Sequence, residues 1–217
     1  MRGDRELQSD VIGELAWEPR VDAAEIGVSV ESGIVILNGT VKSFPEKWAA
    51  ESAAQRVKGV KAVTDEIVVT LPGSNERSDT DIAREAVNAL ALNSVVPRNR
   101  IKVLVAKGWI TLEGTVDFHY QRTEAEMAVR NLIGVRGVTS QINVKPAVSI
   151  ADVKSQIEKA LERAAEMDAK KIVVEIHGNQ VVLRGTAKTW AERDQAERAA
   201  WAAPGVANVQ DRIEISS

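Results

Sequence analysis

The fold is decided by the stretch Ile34-Val35-Ile36-Leu37-Asn38-Gly39-Thr40-Val41, which recurs at residues 109–116 and 180–187. Each version is a strongly apolar run that reaches a glycine followed by threonine. A second glycine stands twenty residues after the first in every copy. The six glycines are Gly39, Gly59, Gly114, Gly134, Gly185 and Gly205. We expect the first of each pair to end a strand and the second to adopt the left-handed conformation that ends a helix.

With the glycine pairs aligned, the whole chain divides into three copies with no gap inside any copy. The copies cover residues 3–70, 78–145 and 149–216, and the linkers 71–77 and 146–148 absorb all differences in length. Repeats that keep their internal length are typical of compact folding units. The sequence therefore predicts three domains with these bounds.

The same order of elements is predicted in every copy. Leu7, Val11 and Leu15 are spaced by four, which predicts a helix with one apolar face. Two strands with alternating apolar residues follow, joined by a tight turn such as Ser32-Gly33. An alanine-rich helix lies between the two glycines, and a third strand ends the copy. We expect an α+β fold of three tandem αββαβ domains, each a three-stranded mixed sheet with two helices on one face.

Composition excludes several functional classes. The 217 residues carry a net charge of −3, whereas nucleic-acid-binding domains are strongly basic, so no nucleic-acid partner is expected. The chain contains no cysteine, which rules out disulfides, thiolate catalysis and cysteine zinc sites. Neither a standard phosphate-binding glycine loop nor an apolar run of membrane-spanning length is present.

Catalytic chemistry finds little support in the sequence. His119 and His177 occupy non-equivalent positions, and we interpret both as exposed loop residues. The carboxylates along and after the first helix are interpreted as a solvated face; they are Asp10, Glu14, Glu18 and Asp22. Acid–base catalysis needs carboxylates held in an apolar cleft. We expect no enzyme activity, no metal site and no cofactor.

The start of the chain favours a cytoplasmic location. Residues 1–6 are charged, and no apolar run of signal-peptide length follows them. A periplasmic location is expected only if an export signal has been removed from the sequence.

The recurring Gly-Thr-Val at residues 39–41 and 114–116, Gly-Thr-Ala at 185–187, the alanine-rich helix and the later Gly-Val resemble the BON domain family. That family is named for a bacterial osmotically induced periplasmic protein and for nodulation proteins. The resemblance implies the αββαβ fold, a bacterial source and a non-enzymatic role. It also implies links to osmotic or envelope stress and to anionic phospholipid surfaces, and one relative binds potassium in the cytoplasm.

Outward-facing apolar residues on the strands predict an interaction surface. Both helices are expected on one face of each sheet. Apolar residues on the opposite face would be exposed to solvent unless a partner or another repeat packs on them. They are Ile34, Ile36, Leu104, Trp109, Val173 and Val182. Packing between repeats or subunits and binding of a ligand are both open interpretations. Trp201 corresponds to Gln55 and Arg130, which look solvent-facing, so we expect Trp201 to mark an interface specific to the third copy.

Charge singles out the second copy, which has 9 Lys/Arg against 7 Asp/Glu, while the first copy has 7 against 12. Arg98, Arg100, Lys102 and Lys107 are expected to cluster around the first hairpin of the second copy, beside Trp109. Tyr120 stands at the start of the following helix. These six residues are the candidate lipid- or ligand-binding site; the alternative is a soluble basic patch that faces the acidic first copy.

The sequence therefore supports three hypotheses of function. The first is a non-enzymatic bacterial stress or envelope protein that associates with anionic phospholipid surfaces. The second is a cytoplasmic sensor of potassium or another small ligand. The third is a scaffold that forms homo-oligomers through the open sheet faces.

Overall fold

The structure, a computed structural model, describes residues 3–145, 150–163 and 171–215. Every copy forms helix, strand, strand, helix and strand, which confirms the predicted order. The first copy contains α1 (Asp4–Trp17), β1 (Ile26–Glu31), β2 (Ile34–Val41), α2 (Phe44–Arg56) and β3 (Ala62–Val69). The second contains α3 (Asp79–Leu92), β4 (Ile101–Ala106), β5 (Trp109–Val116), α4 (His119–Arg130) and β6 (Gly137–Val144). The third contains α5 (Ile150–Glu162), β7 (Ile172–His177), β8 (Gln180–Ala187), α6 (Trp190–Trp201) and β9 (Asn208–Ile215).

The linker 71–77 contains a short 3-10 helix at Gly73–Asn75. The predicted linker at 146–148 lies outside the described residues.

Each copy has its own three-stranded sheet with the second strand in the middle. In the first copy β1 runs antiparallel to β2, with Val28 opposite Leu37, and β3 runs parallel to β2, with Ile67 opposite Gly39. The third copy repeats this arrangement in β7, β8 and β9. The prediction of mixed sheets is confirmed, and the strand that carries Gly-Thr is the central one.

The hairpin between β1 and β2 is fastened to the start of α1. Ser32 and Gly33 have φ angles of 53° and 83°, and positive φ at both turn residues is typical of a type I′ hairpin. The carboxylate of Asp4 accepts hydrogen bonds from the N–H groups of Ser32 (2.8 Å) and Gly33 (3.1 Å). Asp79 binds the equivalent turn of the second copy in the same way.

Both helices of the first copy cover the same face of its sheet. One buried cluster joins Val11 and Leu15 of α1, Val35 and Leu37 of β2, and Ala53 of α2. Burial of one valine or leucine side chain stabilises the fold by about 1.5–3 kcal/mol. The small alanine lets α2 lie close to the sheet, so the prediction of an alanine-rich inner face is confirmed.

The first glycine of each pair is required by a close backbone contact. Gly39 has φ +128°, and a Cβ atom there would lie 2.1 Å from the carbonyl oxygen of Glu25. A Cβ atom on Gly114 or Gly185 would likewise overlap the carbonyl oxygen of the residue just before the first strand, Arg100 or Lys171. Contrary to the prediction, this glycine does not end its strand, since β2 continues to Val41.

The second glycine lies in a turn after the helix. Gly59 has φ +107°, and the N–H of Val60 donates to the carbonyl oxygen of Val57 (3.2 Å), which closes the turn. Glycine with positive φ is typical of the third position of a type II turn. Gly134 and Gly205 also have positive φ. The predicted left-handed conformation is confirmed, but α2 has already ended at Arg56, so this glycine shapes the turn.

The chain divides into two compact units whose bounds do not follow the repeats. The first unit contains Met1–Asn88, Leu104–Thr111 and Ala128–Thr139. The second unit contains Ala89–Val103, Leu112–Met127 and Ser140–Ser217. The middle repeat contributes to both units, so the domain bounds expected from the sequence stay a prediction.

Candidate functional site

The segment 92–102, from the last residue of α3 to the start of β4, begins with apolar side chains that face solvent; we call it the α3–β4 loop. Leu92, the last residue of α3, is 86% exposed, and Val95 is 39% exposed. Val96 beside it is buried, and the N–H of Val95 donates to Oδ1 of Asn93 (3.0 Å). The loop is therefore anchored to the core while Leu92 and Val95 remain open to an apolar partner.

Basic side chains surround the other end of the α3–β4 loop. Arg98 and Lys102 are exposed, and neither has an ion-pair partner within the described part of the chain. Arg100 differs, because its Nη1 lies 2.7 Å from Oδ2 of Asp117, just before α4. Two uncompensated cations on the same segment as exposed Leu92 suit a negatively charged surface with an apolar interior.

Tyr120 belongs to the same neighbourhood. It lies in the first turn of α4, stacked against Phe118 with ring centres 5.4 Å apart, and it remains half exposed. The ion pair between Arg100 and Asp117 fastens the start of β4 to the segment that begins α4. The structure thus places Arg98, Arg100, Lys102 and Tyr120 in one unit.

The expected basic cluster does not include Lys107. Lys107 and Gly108 form the hairpin turn between β4 and β5, whereas Arg98 and Arg100 precede β4. A six-residue strand rising about 3.3 Å per residue separates these two groups. The expectation that all four cations surround the hairpin was wrong, because residues close in sequence lie at opposite ends of an extended strand.

Trp109 has a structural role in addition to any role in binding. A Cβ atom on Gly137 would lie 2.4 Å from the Trp109 ring, so this ring lies flat on the Gly137 backbone. Its Nε1–H donates to Oγ1 of Thr139 (2.8 Å). Trp109 nevertheless keeps 45% of its surface exposed. The glycine in β6 and the tryptophan in β5 therefore complement each other across the sheet.

The outward apolar residues of the strands differ in exposure. Ile34, Leu104 and Val173 are exposed, and Ile36 is half-buried. Val182 is only 5% exposed, so it offers no open surface, contrary to its expected outward role. It lies opposite Glu175 and Gln210 in the register of the third sheet. A contact of the exposed residues with a partner stays a prediction.

Trp201 contacts the preceding repeat. Its ring centre lies 4.0 Å from that of His119, at the start of α4. His119 is half-buried, and burial lowers the pKa of its imidazole, so its interpretation as an exposed loop residue was wrong. Arg130 occupies the position equivalent to Trp201 and lies 4.0 Å above the Trp48 ring of the first repeat. Arg130 is thus not simply solvent-facing, and such a contact is not specific to the third repeat.

Glu18 is another residue that the sequence analysis misplaced. It is 8% exposed, with Arg20 at 2.7 Å and Arg56 at 3.3 Å from its carboxylate. Hydrogen bonds from Arg20 and Arg56, together with the charge of Arg20, lower the pKa of Glu18 to about 2. Glu18 therefore ties the end of α1 to the end of α2 and is no part of a solvated face.

A half-buried carboxylate, Glu51 of α2, was missed by the sequence analysis. Burial, followed by the nearby charge of Asp65, raises the pKa of Glu51 to about 7. Asp65 itself pairs with Nζ of Lys47 at 2.6 Å. The third repeat has the equivalent pair of Arg193 and Asp211 at 2.5 Å. No sequence signal marks Glu51, because its environment comes from β3 and from Arg130.

The described residues hold neither a cluster of metal ligands nor a membrane-spanning helix. Within residues 3–145, 150–163 and 171–215, no three His, Asp or Glu side chains gather as metal ligands. Among the helices of this same part of the chain, none has the length and apolar character needed to cross a membrane.

Comparison with known proteins identifies relatives of the chain. The family model for the BON domain matches residues 3–70, 78–146 and 149–217. Osmotically-inducible protein Y of Escherichia coli (strain K12) is 28% identical over 146 residues, which cover 65% of this chain and 73% of the relative.

Solved structures of CdsD, a structural protein of the type III secretion system of Chlamydia trachomatis, also match. One is 14% identical; the match covers 97% of this chain and 92% of the CdsD chain, with a TM-score of 0.29. The other, of the C-terminal domain, is 15% identical, covers the whole of both chains and has a TM-score of 0.26.

The relative from Escherichia coli overturns the expected cytoplasmic location. An osmotically induced periplasmic protein is the type for which the BON family is named, and osmotically-inducible protein Y is the relative that matches this chain. The charged residues 1–6, on which the cytoplasmic expectation rested, do not decide the location.

Proposed function

The chain belongs to the BON domain family in three tandem copies, and on this basis we propose that it is a non-enzymatic stress or envelope protein that associates with anionic phospholipid surfaces. The match to an osmotically-inducible protein supports the stress-related part of this proposal. The observation that carries the lipid part is the α3–β4 loop, which exposes the apolar Leu92 and Val95 and the cations Arg98 and Lys102 on one short segment.

The physical basis is a combination of two weak attractions. Each basic residue close to an anionic membrane contributes about 1 kcal/mol, and this attraction falls off within a Debye length. Insertion of a leucine side chain into the acyl region contributes about 1.5–3 kcal/mol. Their sum predicts reversible association at the membrane surface and no insertion across it.

Vesicle flotation tests the proposal. We expect the protein to float with vesicles that contain phosphatidylglycerol at low salt and to remain in solution with pure phosphatidylcholine. Because the attraction is electrostatic at first approach, flotation should decrease as salt increases. Absence of flotation with anionic vesicles at low salt contradicts the proposal.

Charge variants locate the binding surface. Arg98→Gln combined with Lys102→Gln should weaken flotation strongly, and Leu92→Glu should weaken it at every salt concentration. The matched control combines Lys188→Gln with Arg212→Gln, which removes two exposed cations from the third repeat. Equal loss in both double variants means that net charge alone determines binding.

Self-association through the sheet faces is a second candidate, supported by the exposure of Ile34, Leu104 and Val173. Light scattering at increasing concentration of the wild type and of Leu104→Glu tests it, and a wild-type monomer at high concentration removes it.

The potassium hypothesis is tested by thermal unfolding in potassium and in sodium at equal ionic strength. Identical curves remove that hypothesis.

A further inference from the structure

A concave cavity of about 350 Å³ lies where the linker 71–77 meets the hairpin of the second repeat. We call it the linker cavity; it is lined by Arg77, Lys107 and Arg136, with Glu76, Asp79 and Leu71. All of these residues belong to the first compact unit. We propose that the linker cavity binds a phosphate group carried by a small molecule or a lipid headgroup.

The charges of the linker cavity favour an anion. Both carboxylate oxygens of Asp79 already accept backbone N–H groups, from Lys107 and Gly108, at 2.8 Å each. Glu76 is mostly exposed and lies 3.9 Å from Arg136, at the limit of an ion pair. Three cations against two carboxylates leave the lining of the linker cavity with one excess positive charge.

The cations of the linker cavity retain binding capacity. Nη1 of Arg77 donates to the carbonyl oxygens of Ser74 (3.0 Å) and Glu76 (2.8 Å) and to no carboxylate among the described residues. The side chain of Lys107 is exposed and has no ion-pair partner in that part of the chain. Planar guanidinium groups bind phosphate oxygens two at a time, and lysine adds a point charge.

Packing at its Cβ atom and two hydrogen bonds to backbone carbonyl oxygens hold Arg77 in place before any ligand arrives. A Cβ atom on Gly134 would lie 2.8 Å from the Cβ of Arg77, so the linker packs directly on the Gly134 backbone. A pre-ordered cation loses less conformational entropy on binding than a free side chain does. The cavity volume lies at the lower end of the range for small-molecule sites, so it admits more than a bare phosphate ion.

Only the second repeat carries this set of cations. In the first repeat the equivalents of Lys107 and Arg136 are Ser32 and Lys61, and Nζ of Lys61 donates to the carbonyl oxygen of Ser32 (2.8 Å). In the third repeat the equivalents are Gly178 and Ala207. The cavity is therefore a property of this chain's second repeat and its linker, and the inference does not depend on the proposed membrane function.

Isothermal titration of the full chain with sn-glycerol 3-phosphate and with inorganic phosphate at low ionic strength tests the site. We expect saturable binding of both, and about tenfold weaker binding in Lys107→Gln and in Arg136→Gln, because each removes a charged hydrogen-bond donor. Lys107→Gln is the safer variant for folding, since its side chain is exposed. The control, Arg98→Gln with Lys102→Gln, should bind as the wild type does.

The outcomes separate this site from the membrane surface. If Lys107→Gln loses glycerol phosphate but floats normally with phosphatidylglycerol vesicles, the ligand is a soluble phosphate compound. If it loses both while the control keeps glycerol phosphate, the ligand is a lipid headgroup. Binding of phosphate no stronger than that of chloride, or equal weakening in the control, overturns the inference whatever the flotation result.

Discussion

The guanidinium carbon of Arg130, the last residue of α4, lies 4.0 Å from the centre of the Trp48 ring in the first repeat. At the equivalent position of the third repeat, Trp201 contacts His119 of the second repeat, also at 4.0 Å. The end of the second helix in one repeat thus meets the early part of the second helix in the preceding repeat. The first contact is a cation stacked on a ring and the second is a pair of rings, but both involve the residue at the equivalent helix end.

The stacking of Arg130 on Trp48 should be measurable as a coupling energy. A cation over a partly exposed tryptophan contributes about 0.5–1 kcal/mol. We therefore expect the destabilisations of Trp48→Ala and Arg130→Ala to add to about that much more than the destabilisation of the double variant. Urea unfolding of the four proteins measures it. Strict additivity contradicts a direct interaction.

Substitution of Gly39 by alanine should destabilise the first repeat severely. Gly39 has φ +128°, and a Cβ there would overlap the carbonyl oxygen of Glu25. We expect the free energy of unfolding to fall by about 3 kcal/mol or more. Gly13→Ala is the matched control, since Gly13 lies within α1 with nothing within 4 Å of an added Cβ. That substitution should stabilise the protein by about 0.5–1 kcal/mol. Equal effects of the two in urea unfolding would refute the requirement for glycine.

Glu51 should make stability depend on pH. Burial and the charge of Asp65 raise the pKa of Glu51 from its usual 4.5 to about 7 in the folded protein. Folding therefore takes up a proton between these pH values. The contribution of Glu51 to the free energy of unfolding is fully present below pH 4.5 and is lost as pH rises through 7. Glu51→Gln removes this loss and should be more stable than the wild type at pH 8, by about 1 kcal/mol after allowance for solvent screening.

Urea unfolding at pH 5 and at pH 8 checks the effect of Glu51. The advantage of Glu51→Gln over the wild type should be present at pH 8 and small or absent at pH 5. Glu85→Gln, which changes an exposed glutamate of α3, serves as the control and should show no such difference. An advantage of Glu51→Gln that is the same at both pH values contradicts the raised pKa.

The fold could be predicted from the sequence because its determinants are local and occur three times. Val35 and Leu37 alternate along one strand, and Gly39 and Gly59 carry constraints that no other residue satisfies. Since the same constraints recur in three copies, chance patterns could be separated from structural ones. The strand order and the alanine-lined helix contact follow from this pattern.

The site could be predicted only in part, because it depends on how elements meet. Arg98 and Lys107 are near in sequence but lie beyond opposite ends of strand β4. Val182 follows the outward alternation and yet is buried. Leu92 could have been noticed as an apolar residue off the helix face formed by Ile82, Ala86 and Leu90. Its near-complete exposure, however, is visible only once α3 is known to end there.

The central proposal is that the α3–β4 loop touches the membrane, and a spin label at residue 92 tests it most directly. The chain has no cysteine, so Leu92→Cys offers a single attachment site, and Val173→Cys, in the third repeat, offers an exposed control. On addition of phosphatidylglycerol vesicles, the label at 92 should lose contact with a water-soluble relaxation agent and gain contact with oxygen, while the label at 173 stays unchanged. Vesicle binding with no change at residue 92 would contradict the proposal.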